Sequence, residues 1–114
     1  MPEEASAQDY ERIRAALSTW RQGQYEFTGM ALRNCHGMWL VSADQLRGAI
    51  VQHFQSRHRL YKKWVDGGHA DRRFFHANVL LSEDWDIYVE LSIREGAPVR
   101  VHAHNHHRFP ILER

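Results

Sequence analysis

Four histidines lie within six consecutive positions near the end of the 114-residue chain, at 102, 104, 106 and 107. Imidazole titrates near pH ~6.5, so a histidine can take up or release a proton at neutral pH. Residues 99–105 alternate apolar and polar side chains, which is typical of a β-strand with one face on the core. The sequence therefore predicts that His102 and His104 project from the polar face of a strand.

A second strand is predicted over Trp85–Arg94, because its apolar residues fall at every other position. Antiparallel partners place their side chains on the same face, and a three-residue loop at 95–97 keeps the two apolar faces together. The resulting cross-strand pairs are Tyr88 with His104, Glu90 with His102, and Ser92 with Arg100. Directly opposed Cβ atoms lie about 5 Å apart, so the hairpin gathers a phenol, a carboxylate, two imidazoles and a guanidinium.

A third alternating segment, Phe74–Leu81, brings His76 to the same polar face when it packs beside the hairpin. Leu60–Val65 is a further candidate strand. Asp66–Gly68 carries a turn signal between these two segments. The second half of the chain therefore predicts an antiparallel meander of four strands.

The first half of the chain predicts helices. Apolar residues recur at helical spacing over Ala7–Gln22 and again from Ser42 to about residue 57. Ser42 and Gln45 have the spacing of a capping box at the start of the second of these helices. A short helix after Thr28 is favoured over a strand.

Helices followed by strands predict a single α+β domain over residues 1–114, with the N-terminal helices on one face of a four-stranded antiparallel sheet. Residues 1–6 are expected to be disordered. The apolar fraction is 43%, which fits one folded core. Cys35 is the single cysteine and cannot form an internal disulfide. Neither a signal peptide nor a membrane-spanning run is seen, so we expect a cytoplasmic protein without a membrane partner.

The predicted polar face suits metal-free cleavage of RNA. RNA carries its own nucleophile, the 2′-OH, so a protein needs proton acceptors, proton donors and cations for the phosphate. Histidines supply the first two, and the third is supplied by a basic stretch, residues 57–73, together with Arg100. The alternative is a solvated polar face in which histidine and charge have no chemical role.

Metal binding is a second interpretation of the histidine cluster. His102, His104 and His106 fall on one face of a strand, and imidazoles are ligands for Zn, Ni or Cu. Such a site usually adds a more distant ligand, for which Glu90 or His76 is a candidate.

The chain resembles the MqsR-type mRNA interferase toxins, within the RelE-like group of bacterial toxin–antitoxin systems. The resemblance runs from about Tyr10 to His107, and its segments are Thr28–Arg33, Ser42–Phe54, Leu60–Lys63, Asp71–His76 and Asp86–Val89. It implies a RelE-like fold and a ribosome-independent, metal-free endoribonuclease that cuts mRNA at short sequences. It also implies neutralisation by a cognate antitoxin.

Four positions carry the family's functional residues. The family's strand lysine falls on Lys62, and its tyrosine of the penultimate strand falls on Tyr88. The family's glutamine falls on His76 and its last-strand lysine falls on His104, and both are departures. Histidine at these positions indicates a more acid–base-driven mechanism, a different specificity, or a resemblance of fold alone.

The expected catalytic residues are therefore His76, Tyr88, His104 and Lys62. We expect His76 and His104 to act as general base and acid, in either order, and Glu90 to fix the tautomer of His102. The expected substrate-binding residues are Lys63, Arg72, Arg73, Arg100, His102 and Glu90, and no metal or cofactor is expected. The expected partners are mRNA and an antitoxin. The alternative is a non-catalytic binding or inhibitor protein that uses the basic, histidine-rich surface.

Overall fold

The computed structural model describes residues 2–19, 23–65, 71–83, 85–105 and 111–114. Its elements in chain order are α1 (Ala7–Ser18), β1 (Tyr25–Phe27), α2 (Gly29–Asn34), α3 (Ala43–Gln55), β2 (Tyr61–Lys63), β3 (Arg72–Ser82), β4 (Trp85–Arg94) and β5 (Val99–His104). A π-helical turn, Cys35–Trp39, continues α2. The predicted α+β class is confirmed.

Each α-helix begins at a hydroxyl side chain that accepts a backbone N–H of the first turn. Ser6 caps α1 and Thr28 caps α2. At α3, the backbone N–H of Gln45 donates to Ser42 Oγ over 3.1 Å and the backbone N–H of Ser42 donates back to Gln45 Oε1 over 2.7 Å. This reciprocal pair confirms the predicted capping box.

The helices end earlier than their apolar periodicity predicts. α1 stops at Ser18 because Thr19 adopts an extended backbone conformation, and residues 20–22 lie outside the described residues. α3 stops at Gln55, and Arg57 then turns the chain with a left-handed φ of 57°. Local backbone geometry therefore ends both helices.

The sheet has five strands in the order β1-β5-β4-β3-β2, and β1 runs parallel to β5. The prediction of four antiparallel strands is therefore wrong in its finer part. The missing strand is β1, whose Tyr25, Glu26 and Phe27 are too few to show a period of two. The β2–β3–β4–β5 meander is antiparallel as predicted.

Residues 2–6 run along the outer edge of β2. The backbone N–H of Lys62 donates to the Glu3 carbonyl over 2.8 Å, and the N–H of Ala5 donates to the Leu60 carbonyl over 2.8 Å. This segment satisfies backbone groups that the edge of the sheet would otherwise expose. The predicted turn at Asp66–Gly68 lies outside the described residues.

The helices all pack on one face of the sheet, as predicted. Among the buried residues of this core are Ile13, Leu17, Leu46, Ile50, Phe75, Val79, Ile87, Val89, Leu91 and Val101. In β3, β4 and β5 these are the odd-numbered positions, so the even-numbered side chains form the opposite, polar face. Of the helices described, α3 is the longest at 13 residues, and none could span a bilayer.

Candidate functional site on the polar sheet face

The polar face is built from cross-strand neighbours in the predicted register. Tyr88 lies opposite His104, and Glu90 lies opposite His102, as the loop length predicts. Four rows follow one another along the face: Arg72 and Arg94; Lys63, Phe74, Ser92 and Arg100; Tyr61, His76, Glu90 and His102; and Asn78, Tyr88 and His104. We call the first two rows the guanidinium end and the last two the imidazole end.

A hydrogen-bonded chain crosses the imidazole end. The Tyr88 hydroxyl donates to Glu90 Oε1 over 3.0 Å and lies 2.9 Å from His76 Nδ1. Because the phenol has one proton and gives it to the carboxylate, His76 Nδ1 must be the donor to the phenol oxygen. The neutral His76 ring then carries its lone pair on Nε2, which is the form that accepts a proton.

Lys63 completes this chain from β2. Its ammonium forms an ion pair with Glu90 Oε1, and both side chains are mostly buried. The ammonium also lies 5.8 Å from the centroid of the Tyr88 ring. Lys63 therefore balances the carboxylate that the phenol and His76 depend on.

Thr28 orients His102, which is the role the sequence assigns to Glu90. Thr28 Oγ1 lies 2.5 Å from His102 Nδ1 and also accepts the backbone N–H of Ala31 over 3.2 Å. The carboxylate of Glu90 is instead engaged by Tyr88 and Lys63. The sequence indicates only that a short helix starts after Thr28, and nothing in it places Thr28 beside β5.

His102 and His104 pack edge to face on β5. Their ring centroids are 4.4 Å apart and the rings are steeply inclined. Burial lowers the pKa of both imidazoles, and the mutual repulsion of the two rings further lowers the pKa of His102. The pKa of His76 is lowered as well, mainly by burial and then by the charge of Lys63. All three histidines are therefore biased towards the neutral form that accepts protons.

Tyr88 is fully buried although it lies on the polar face of the sheet. Leu112 packs over it, in a small apolar cluster that also contains Tyr61. The backbone N–H of Leu112 donates to Asn78 Oδ1, and Arg114 pairs with Asp86 at 2.9 Å. Burial and the Glu90 charge raise the pKa of Tyr88 far above its ordinary value. Tyr88 therefore positions His76, and proton exchange falls to the imidazoles.

The guanidinium end is more open. Arg72 and Arg94 are direct cross-strand partners, and Arg100 lies in the neighbouring row. The Arg72 guanidinium donates to Ser92 Oγ over 2.9 Å. Phe74 lies half-buried beside them and borders a groove of about 250 Å³ that reaches His102.

Lys62 and Arg73, expected as a catalytic and a substrate-binding residue, lie on the other face of the sheet and are not brought together with the imidazoles. Lys62 is the partner of Phe75, a core residue, and its ammonium pairs with Glu3 at 2.5 Å. Arg73 pairs with Asp9 at 2.9 Å. The strand register puts Lys63, one position along, in the place predicted for Lys62.

The part of the chain that the structure describes contains no group of three metal-ligating side chains placed to hold one ion. His106 and His107 lie outside the described residues, and His106 is one of the three histidines on which the metal-binding interpretation depends.

No protein-family model, curated protein or solved structure matches this chain. Membership of the MqsR-type toxins accordingly stays a prediction from the sequence motifs. The α+β fold and the polar face are features of the structure and do not depend on that resemblance.

Proposed function

We propose that the protein is the toxin of a toxin–antitoxin system, a metal-independent endoribonuclease that cleaves mRNA on the polar sheet face. One observation carries the proposal: three imidazoles from β3 and β5 share one face, with Lys63 and Arg100 beside them. Burial lowers the pKa of each imidazole, which keeps a proton acceptor ready at neutral pH.

The reaction is an attack of the ribose 2′-oxygen on the adjacent phosphorus. A base removes the 2′-OH proton, the 2′-O–P bond forms and the P–O5′ bond breaks. An acid protonates the leaving 5′-oxygen, so the products carry a 2′,3′-cyclic phosphate and a 5′-OH. This chemistry needs two proton-transfer groups on opposite sides of the phosphate and cations near its oxygens.

His76 fits the role of base. Its Nδ1 is committed to the Tyr88 oxygen, which leaves the lone pair on Nε2 to accept the 2′-OH proton. Glu90, which accepts the hydrogen bond of the Tyr88 hydroxyl, stabilises the imidazolium that forms on His76. Tyr88 and Glu90 are positioning residues in this scheme.

The edge-to-face pair His102 and His104 supplies the acid from the other side. Burial lowers the pKa of both imidazoles in the free protein, and the negative charge of a bound phosphate favours the protonated form that donates. His102 and His76 flank Glu90 in one row, so their Cα atoms are separated by two inter-strand spacings, about 10 Å. Side chains that lean together across this gap can hold a phosphate between them. Lys63 and Arg100 then compensate the charge that builds on the phosphorane.

The test is cleavage of mixed-sequence RNA by the pure protein in EDTA. We expect products with 2′,3′-cyclic phosphate ends and no cleavage of the same sequences as DNA. His76→Gln should lower the rate by about 10²- to 10⁴-fold. The matched control is His36→Gln, an exposed histidine on the π-helical turn of the helix side, which should cleave like the wild type.

The toxin role is tested in cells by inducing the wild type and His76→Gln side by side. The wild type should arrest growth and the variant should not, at equal soluble levels. If the folded wild-type protein binds RNA without cutting it, the protein is an RNA-binding protein and the proposed enzymatic activity is wrong. A His76→Gln variant with full activity would remove the base assignment.

A further inference from the structure

The guanidinium end contains a pairing that costs stability. Arg72 and Arg94 are directly opposed on β3 and β4, with both side chains on the polar face. Like charges directly opposite each other in a sheet are destabilising. Arg100 lies one row further along and adds a third positive charge nearby. An anionic ligand bound at the two guanidinium groups would replace this repulsion with attraction.

The carboxylates near these arginines balance them only in part. Arg94 pairs with Asp71 at 3.3 Å and Arg100 pairs with Glu26 at 3.3 Å, and all four of these side chains are about half exposed. Such exposed ion pairs are weak and readily exchanged. Within the described ranges no carboxylate lies in ion-pair distance of Arg72, which donates to Ser92.

Burial and the charges of Arg100 and Arg94 lower the pKa of Arg72, so its guanidinium sits in a positive field. Asp71 and Glu26 oppose this effect but do not cancel it. The guanidinium end is therefore a positive surface whose field an incoming anion relieves.

A groove joins this positive surface to the imidazole end. It has a volume of about 250 Å³ and is lined by Thr28, Phe74, Glu90, Ser92, Arg100 and His102. Phe74 lines the groove with a half-buried aromatic ring, and unstacked RNA bases bind to such rings. The rows of Arg100 and His102 are two residues apart, about 7 Å along the strand.

We propose that the guanidinium end is a second phosphate-binding subsite, which holds the phosphodiester next to the one cleaved while Phe74 stacks the intervening base. The identity of the ligand as single-stranded RNA rests on the proposed function. Arg72 and Arg94 bind the oxygens of this phosphate through charge-assisted hydrogen bonds, and Arg100, one row further along, stays with the phosphate that is cleaved. The RNA strand then runs along the groove from the guanidinium end to the imidazole end.

The probe is a fluorescein-labelled mixed-sequence RNA hexanucleotide with 2′-O-methyl groups throughout, which has no nucleophile and cannot be cut. Arg72→Gln and Arg94→Gln should each weaken its binding about tenfold at low salt. Each should also make the slope of log affinity against log salt shallower by about one phosphate contact. Phe74→Leu should weaken binding about fivefold or more with the salt slope unchanged.

The matched control is Arg33→Gln, which removes the same charge from an exposed position on α2. It should bind the probe like the wild type. If Arg33→Gln weakens binding as much as Arg72→Gln, net charge alone explains the effect and the subsite is overturned.

The two proposals fail separately in this design. A wild type that cleaves RNA while Arg72→Gln and Arg94→Gln bind the probe normally overturns the subsite and leaves the enzyme. A wild type that cannot cleave RNA, but whose probe binding falls with Arg72→Gln and Phe74→Leu, keeps the subsite on a binding protein. Far-ultraviolet circular dichroism of each variant confirms that it is folded.

Discussion

The two ends of the polar face use the same strands and the same alternation, yet they have different chemistry. At the imidazole end, His76, Tyr88 and Glu90 are hydrogen-bonded to one another and Leu112 covers the phenol. At the guanidinium end, Arg94 and Arg100 are about half exposed and pair with carboxylates at the surface. Strand alternation places these groups on one face, and burial of the rows at the imidazole end lowers the pKa of their histidines.

This difference suits a division of labour. Burial disfavours charge, so it keeps imidazoles unprotonated and able to accept a proton. Exposure leaves guanidinium groups fully charged and able to meet phosphate oxygens. A catalytic centre for RNA needs both environments, and the polar face provides them within a few residues of one another along β3 and β4.

The largest expected effect separates the ends by stability. Tyr88→Ala should lower the free energy of unfolding by about 3–5 kcal/mol, because it opens a cavity beneath Leu112 and leaves His76 and Glu90 without their common partner. Arg94→Ala, at the exposed end, should change it by less than about 1 kcal/mol. Urea denaturation at pH 7 measures both.

Tyr88→Phe is the conservative control for this comparison. It keeps the ring under Leu112 and removes only the hydroxyl, so the loss should be about 1 kcal/mol. Equal losses for Tyr88→Ala and Arg94→Ala would mean that the imidazole end is not packed as a core. The two ends would then not differ in their contribution to stability.

The second-largest expected effect is the pH dependence of the free energy of unfolding, to which buried imidazoles contribute and guanidinium groups do not. Burial lowers the pKa of His53, on α3, from 6.5 to about 4, and the three polar-face imidazoles shift in the same direction. Because these groups bind protons more weakly when folded, stability is complete above pH 6.5 and is lost as the pH falls towards 4. His53 alone should remove about 2 kcal/mol between pH 7 and pH 5, measured by urea denaturation at each pH.

Variants at each end show which groups carry the remaining dependence. His102→Gln should reduce the loss on acidification, because one buried imidazole no longer takes up a proton on unfolding. Arg100→Gln should leave the pH dependence as it is in the wild type, since a guanidinium stays charged over this range. An unchanged slope in His102→Gln would mean that its imidazole is already solvated when folded.

The hairpin that carries the site could be predicted from the sequence. Parity of the apolar positions and the length of the loop fix the pairs Tyr88–His104 and Glu90–His102, because antiparallel strands share their faces. The α3 capping box is likewise a local signal, made by two residues three positions apart. Features set by short-range geometry are readable from a single sequence.

Features set by long-range packing could not be predicted. Whether Lys62 or Lys63 faces the imidazoles depends on how β2 registers against β3, and residues 66–70 between them give no loop rule. Thr28 reaches His102 only because β1 adds in parallel to β5. The cover over Tyr88 comes from Leu112, whose short segment has no period.

The smallest expected effect reverses the usual sign of a substitution. Arg72→Gln removes one of two like charges that face each other across β3 and β4, so the free energy of unfolding at low salt should stay the same or rise by up to about 1 kcal/mol. Salt screens the repulsion in the wild type, so the difference between variant and wild type should shrink as ionic strength increases. Urea denaturation in low and high sodium chloride measures it. A loss of more than about 1 kcal/mol would show that Arg72 stabilises the fold through its hydrogen bond to Ser92. The repulsion between Arg72 and Arg94 would then no longer support a phosphate site at the guanidinium end.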